Sequence, residues 1–383
     1  RQDGAFYTPS VLVELVLSRS LTAGELQKKP RVLDPACGSG IFLVESFRRI
    51  VRYEWYKNQK RLDFDRLKQI LHEQIAGIEV NEEAARITAF SLYLAMLHYL
   101  DPPAITEQIK QGNRLPNLLV SESKSKDHCN SIWVGNAFDT ASIDSNPLLS
   151  SRFGKHCADV VVSNPPWGAP GNKADAATKA RERVMLEWCR VNDKPIGDKE
   201  PSQAFIWRSL DFLKDGGKAG MLVSAGVLFK HGTTTQAFRE QWMNGIRLNE
   251  VFNFTHVRKF FFKADSPFVL ICFTKGKQDD SPVKYWSAKQ VTALRETQAI
   301  LLSKYDIHIL RDGNLPSSEL WKSYWFGRFA DASFLKQLQF KDRLSCFVDR
   351  IKSVKEYHPH LTSTLQMVYP QNIYLISNHL KDM

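Results

Sequence analysis

The sequence predicts an α/β protein built on an open, doubly wound and largely parallel sheet, and three stretches carry that expectation. Arg31-Val32-Leu33-Asp34-Pro35-Ala36-Cys37-Gly38-Ser39-Gly40-Ile41-Phe42-Leu43 runs from a short apolar strand through a small-residue turn into an apolar helix. Val160-Val161-Val162 is a second apolar strand, ending in the rigid polar segment Ser163-Asn164-Pro165-Pro166-Trp167. Beyond Pro201 the alternation of helix and strand continues to a last apolar strand over 267–274. An open sheet of this kind carries its chemistry at the carboxyl ends of its strands, where both polar turns fall.

The glycine turn comes first. Gly38 and Gly40 let the backbone turn tightly and approach a ligand, and the following helix presents unpaired N–H groups at its N-terminus. The spacing lacks the three glycines of a dinucleotide fingerprint and the Gly-Lys-Ser/Thr of a phosphate loop. Asp34 in the turn repels a pyrophosphate and favours a cation. Residues 53–69 are charged and read as a surface helical insertion, 74–80 as a second strand, and 82–100 as an apolar helix on which His98 is a packed or rim residue. After the proline motif, 168–201 is long for a loop and carries Lys173, Lys179, Arg181, Arg183, Arg190 and Lys194. A solvated amphipathic helix over 175–190 is the competing reading. Residues 202–213 read as a helix stopped by Gly216-Gly217, followed by strands over 218–229, 248–254 and 267–274. The composition changes at Leu315, and a helix is expected over 331–347, so the chain divides into 1–314 and 315–383.

Asn164 and Pro165 suggest a specific chemistry. The Asn164 side-chain carbonyl and the Pro165 backbone carbonyl are two fixed acceptors that can grip one planar amino group. Trp167 adds a flat face for stacking, and Pro165 and Pro166 restrict the loop that holds all three. A rigid strand-to-helix turn is the plainer alternative for these four residues.

Together the motifs carry a family resemblance. Asp34-Pro35-Ala36-Cys37-Gly38-Ser39-Gly40 resembles the cofactor motif of S-adenosylmethionine-dependent DNA methyltransferases, and Asn164-Pro165-Pro166-Trp167 resembles the catalytic motif of members that methylate an exocyclic amino group. Gly4-Ala5-Phe6-Tyr7-Thr8-Pro9 resembles the motif that closes over the methionine part of the cofactor. Its place ahead of the glycine turn matches the gamma-type N6-adenine enzymes of restriction-modification systems, in which a target-recognition domain follows. The resemblance spans roughly residues 1–330, and the three motifs in order are a strong signal. It implies a seven-stranded Rossmann-like sheet with an antiparallel last strand. It also implies a catalytic domain over 1–314 with a basic loop insertion at 168–201, then a linker and the beginning of a truncated target-recognition region over 315–383.

The same resemblance assigns residues. S-adenosylmethionine is expected to lie against Tyr7, Thr8, Pro9, Asp34, Ala36, Cys37, Gly38, Gly40 and Phe42, with Glu79 and Val80 at its ribose and Asn136 and Ala137 at its adenine. A carboxylate at Glu79 accepts from two hydroxyls at once. Within Val134-Gly135-Asn136-Ala137-Phe138-Asp139, Asn136 stands where the family usually has an acid, and Asp139 is the nearby alternative; ordinary turn roles compete for both Asn136 and Glu79. Asn164, Pro165, Pro166 and Trp167 are the catalytic set. The target base is expected to stack on Trp167 with one of Phe260, Phe261 and Phe262, Phe261 being favoured, although two core residues and one exposed residue explain the triplet as well. Lys173, Lys179, Arg181 and Arg183 are placed to meet phosphates of double-stranded DNA.

Composition agrees with this reading. A chain of 383 residues with 43% hydrophobic content suffices for one large domain and part of another. Its formal charge of +11 suits a polyanionic partner. The six cysteines, Cys37, Cys129, Cys157, Cys189, Cys272 and Cys346, lack paired metal-ligand spacing and read as reduced intracellular thiols, so no metal is expected. No membrane span or signal peptide is visible, and a cytoplasmic enzyme is the simple inference. Both ends read as cut, since the chain begins at Arg1 and the tail is short for a recognition domain; fused or separate recognition and nuclease domains are expected partners.

The implied reaction is methyl transfer to adenine N6 of a base extruded from DNA. Cytosine N4, an RNA guanine and a protein glutamine present a similar nitrogen. An inactive cofactor-binding module of a DNA-defence complex is a further alternative, and all of these stay open on sequence alone.

Overall fold

The computed structural model describes residues 7–120, 128–169, 171, 174–262, 266–277, 279, 281–289, 300, 302, 304, 306–311, 315–326, 348–351 and 373–376. Gly4, Ala5, Phe6, Lys173 and the helix expected over 331–347 lie outside them.

Among the described residues, ten strands form one sheet: β1 (Val32–Asp34), β2 (Ile75–Glu79), β3 (Asn117–Leu119), β4 (His128–Val134), β5 (Ala158–Ser163), β6 (Leu213–Ser224), β7 (Ile246–Asn253), β8 (Phe268–Lys275), β9 (Val283–Ser287) and β10 (Ile307–Leu310). Their order is β10-β9-β7-β8-β6-β5-β1-β2-β4-β3. Pairing from β3 to β6 is parallel, and β8 runs antiparallel to both β6 and β7. The antiparallel pair expected at the end of the sheet is thus present. The expected seven strands are exceeded, because β3 extends one edge and β9 and β10 extend the other. These edge strands have only three to five residues, too short for a period-two pattern to stand out.

The site is located by topology. From β1 the chain moves outward to β2, β3 and β4, then crosses back to β5 on the other side of β1. Strand order reverses between β1 and β5, which opens a crevice beyond their carboxyl ends. Val32 pairs with Val160 and Leu33 with Val161, so the glycine turn and the proline motif emerge side by side.

Helices cover the sheet through apolar faces. The Ser10–Ser20 helix buries Leu12, Val13, Val16 and Leu17, and its contact with β6 is close: a Cβ on Gly220 would lie 3.0 Å from Val16 Cγ1 and Ser20 Oγ. The Ile41–Asn58 helix buries Phe42, Leu43, Val44, Phe47, Ile50 and Val51, each large side chain stabilising the fold by roughly 1.5–3 kcal/mol.

Several boundaries depart from the sequence reading. Residues 53–69 are helical as expected but do not lie only at the surface; they are the end of the Ile41–Asn58 helix and the start of a Phe64–Gln74 helix that Asp63 caps by accepting from Arg66 N at 2.9 Å. Charged residues on its outer side mask a buried face of Phe64, Leu67, Ile70 and Leu71. The 168–201 segment is largely helical too, with Ala176–Val191 capped by Asp175 and seated through Met185, Trp188 and Cys189. Gly216 and Gly217 do not terminate a helix. The Pro201–Phe212 helix runs directly into β6, and the pair lies in a bulge where the register against β5 shifts. Residues 226–229, expected as strand, are a short helix (Gly226–Phe229).

The chain divides into two units, Arg1–Phe326 and Gly327–Met383, later than the 314/315 division read from composition. In the first, the Ser318–Phe326 helix is seated by Trp321, fully buried with its Nε1 donating to Leu315 O, and by Trp325 against Phe229. In the second, Val348–Ile351 and Ile373–Ile376 pair antiparallel.

Gly40 is a sensitive point of the frame. Its φ of +84° is left-handed, and a Cβ there would lie 2.6 Å from Thr88 Cγ2. Thr88 is buried, and its hydroxyl donates to Gly38 O, so it has no room to withdraw. Gly40→Ala is expected to cost about 1–3 kcal/mol, read as an earlier midpoint in chemical denaturation with an unchanged slope.

Candidate active site

A cavity of about 520 Å³ opens at the carboxyl ends of β1, β2 and β5. Asp34, Ala36, Cys37, Gly38 and Phe42 line it from the glycine turn, Glu79 and Val80 from the end of β2, Asn136 and Ala137 from the turn after β4, and Tyr7 and Thr8 from the N-terminal segment. Asn164, Pro165, Pro166 and Trp167 line it from the end of β5. Gly40 and Pro9 are not among the lining residues; they stand at the N-caps of the Ile41–Asn58 and Ser10–Ser20 helices. Most of the candidates scattered over 160 positions therefore meet in one place.

The glycine turn is braced by two carboxylates. Asp34 Oδ1 accepts from Ala36 N at 3.1 Å and from Ser163 Oγ at 2.8 Å, the second bond joining the two strand ends. Glu79 Oε2 accepts from Gly38 N and Oε1 from Asn81 N, both at 2.8 Å. A carboxylate has about four acceptor positions, so both keep capacity for a ligand. Burial pushes the Asp34 carboxyl up to about 7, with nearby Glu79 adding to the rise and its two hydrogen bonds opposing it. Burial likewise holds the Cys37 thiol well above its usual range, and Asp34 and Glu79 raise it further.

The proline motif is fixed from behind. Trp167 Nε1 donates to Leu222 O at 3.1 Å, and its ring stacks on Phe268 at 5.2 Å. Glu200, buried at the cap of the Pro201–Phe212 helix, accepts from Gly168 N at 2.9 Å, and Ser202 Oγ donates to Pro166 O at 3.5 Å. Asn164 Nδ2 donates to Thr8 Oγ1 at 2.9 Å. Asn164 Oδ1 is buried with no hydrogen-bond partner among the described residues. A buried acceptor left unmatched costs about 1–3 kcal/mol, which a ligand's N–H would recover.

Some expected residues are placed differently. Asn136, which lines the cavity as expected, also accepts at Oδ1 from Phe138 N at 3.0 Å in an Asx turn, whereas Asp139, the alternative, caps the Thr140–Ser145 helix through Ser142 N and Oγ and is not among the lining residues. Of the phenylalanine triplet, Phe262 is in edge contact with Trp167, at 5.3 Å, and Phe261 meets Phe254 and Phe268; none of Phe260, Phe261 and Phe262 is among the residues lining the cavity. Of the basic set, Arg181 reaches the cavity wall, while Lys179 and Arg183 are exposed on the same helix. Ile87 and Phe205, which sequence reasoning missed, also line the cavity. Ile87 is half exposed on an otherwise apolar helix, a sign visible only once the buried side of that helix is known. Among the described residues no cluster of His, Cys, Asp or Glu suits a metal, and no helix is long and apolar enough to cross a membrane.

Comparison with known proteins matches this geometry to a family. A model of the N-6 DNA Methylase family matches residues 1–313. The chain is 22% identical over 281 residues to the Type I restriction enzyme MjaVII methylase subunit of Methanocaldococcus jannaschii, covering 73% of this chain and 38% of that protein. It is 29% identical over 268 residues to the adenine-specific methyltransferase PglX of Streptomyces coelicolor, covering 64% of this chain and 21% of that protein. It thus spans well under half the length of these relatives. In fold it is similar to a chain of a DrdV–DNA complex, with TM-score 0.54, 14% identity and 82% and 30% of the two chains covered. It is also similar to the ATP-dependent Type ISP restriction-modification enzyme LlaBIII bound to DNA, with TM-score 0.51, 15% identity and 74% and 20% covered.

The Asp34 carboxyl makes the stability of the ligand-free protein depend on pH. Its folded value of about 7 exceeds its ordinary 3.8, so the folded state holds a proton that the unfolded chain releases. The stability this contributes is fully present below the unfolded value and lost as pH rises through the folded one. Denaturation midpoints between about pH 4 and about pH 7 should therefore show a falling component that Asp34→Asn removes.

Proposed function

The chain belongs to the N-6 DNA methylase family, and on that premise we propose that it transfers a methyl group from S-adenosylmethionine to N6 of an adenine extruded from double-stranded DNA, as the catalytic part of a restriction-modification or phage-defence protein. Asn164 Oδ1 is the observation that carries the proposal: a buried acceptor on a residue of the cavity wall, with no hydrogen-bond partner among the described residues. Two relatives are described as a restriction-enzyme methylase subunit and an adenine-specific methyltransferase, which favours adenine over the other amino-bearing targets.

The cavity fits the cofactor. Glu79, at the end of β2, has acceptor capacity for the paired ribose hydroxyls, and Asp34, already short of solvation, gains from a nearby cation. Bound against these residues, the cofactor supplies an electrophilic methyl group. Asn164 Oδ1 and the Pro165 carbonyl accept from the amino group of the target, which draws the nitrogen out of conjugation with its ring and frees its lone pair. Trp167, backed by Phe268, offers a stacking surface for a flipped base. Arg181, at the cavity wall, supplies positive charge beside the opening, where phosphates would pass, and Lys179 and Arg183 add positive charge elsewhere on the exposed surface of the same helix.

Incubation of the protein with DNA and S-adenosylmethionine, followed by mass spectrometry of the nucleosides, tests the reaction. N6-methyladenine is expected, with Asn164→Ala lowering the rate about 100-fold or more while calorimetry finds cofactor affinity retained. N4-methylcytosine would change the substrate, and cofactor binding without transfer to DNA would leave an inactive module. Affinity for S-adenosylmethionine is further expected to rise from about pH 5 to about pH 8 as Asp34 loses its proton, and to flatten in Asp34→Asn.

A further inference from the structure

Thr8 lines the cavity, yet its hydroxyl is directed at another side chain of the protein. Thr8 Oγ1 accepts from Asn164 Nδ2 at 2.9 Å, joining residues 156 positions apart, and Thr8 itself is buried. The backbone of Asn164 is held by β5 before it and by Pro165 after it, since a residue ahead of proline is confined to extended conformations. What stays soft is rotation of the terminal carboxamide, which is broad and nearly two-fold. Turned one way, Asn164 presents an acceptor; turned the other, it presents an NH₂, which meets a target amino group donor to donor.

We infer that Thr8 is a positioning residue for the Asn164 carboxamide: a hydroxyl can bond either end of an amide, so Thr8 fixes the plane of the carboxamide beside the cavity, and in the arrangement observed it accepts from Nδ2 and leaves Oδ1 for the target. The unmatched, buried Oδ1 is the second mark of this arrangement. The inference rests on the amino-methylation reading for its consequence, because an acceptor at this point favours an amino group over a keto oxygen. It also gives the N-terminal segment a part in catalysis separate from cofactor binding: Thr8 acts through Asn164, and loss of its hydroxyl leaves the cofactor contacts of Asp34 and Glu79 in place.

Two measurements on the full chain test it. With asparagine labelled in its side-chain amide, the Asn164 NH₂ pair is identified by its loss in Asn164→Ala. Thr8→Val should then speed exchange of those protons with solvent by up to about tenfold, whereas Thr8→Ser should not. In single-turnover methylation at saturating S-adenosylmethionine, Thr8→Val should be about 10- to 100-fold slower with the cofactor Kd unchanged, and Thr8→Ser should restore the rate. If Thr8→Val is poorly folded, Thr8→Ala serves as the second variant without the hydroxyl. Unchanged exchange of the Asn164 protons overturns the inference. So does a variant that loses cofactor affinity but transfers methyl at the normal rate once saturated, since Thr8 would then serve the cofactor alone. A wild-type chain that transfers no methyl group overturns the functional reading instead, and the exchange measurement still decides the role of Thr8.

Discussion

A single buried hydrogen bond, from Ser163 Oγ to Asp34 Oδ1 at 2.8 Å, joins the carboxyl ends of the two neighbouring strands on which the site is built. It is possible only because β1 and β5 are neighbours, and they are neighbours only because the chain reverses its direction of winding between them. The glycine turn and the proline motif have no contact in sequence. Their separation in space is set by the width of one strand, about 4.8 Å, which no loop of comparable length could hold as firmly. Everything else at the site is arranged around that spacing.

The proline motif is also held from the opposite side by elements with no part in the cavity chemistry. Glu200 takes up the Gly168 N–H, Leu222 takes up the Trp167 indole, and Ser202 reaches Pro166. Arg208, almost wholly buried, donates from Nε to Ala137 O and lies over Phe212, which ties the same helix to the turn after β4. A site whose side chains must be held within about 0.5 Å needs such a supporting layer. Here it is the Pro201–Phe212 helix, which touches both rims of the crevice at once.

What could be read in the sequence follows from how local each signal is. The glycine turn, the proline motif and the strands that lead into them are contiguous, and each is written in residues whose backbone preferences are strong. The helix over 176–191 was visible only as one of two readings, because its buried face is three residues wide and its other positions are charged. The bulge at Gly216 could not be read, since glycines mark a helix end and a strand irregularity equally well. The turn role of Asn136, whose partner Phe138 is two residues on, was one of two local readings, whereas the pairing of Thr8 with Asn164 depends on a partner that only the fold brings near. The same holds for Phe262, whose contact with Trp167 is settled by the short helical turn that precedes it.

Cys37 lies in the wall of the proposed cofactor cavity, and its environment bears on a hazard that any such enzyme faces. A thiolate is a far better nucleophile than an amino nitrogen, and one placed beside an activated methyl group would consume it and poison its own site. Burial, with Asp34 and Glu79 close by, keeps the sulfur protonated. On the functional reading proposed for this chain, the carboxylates that brace the glycine turn also guard it against self-alkylation.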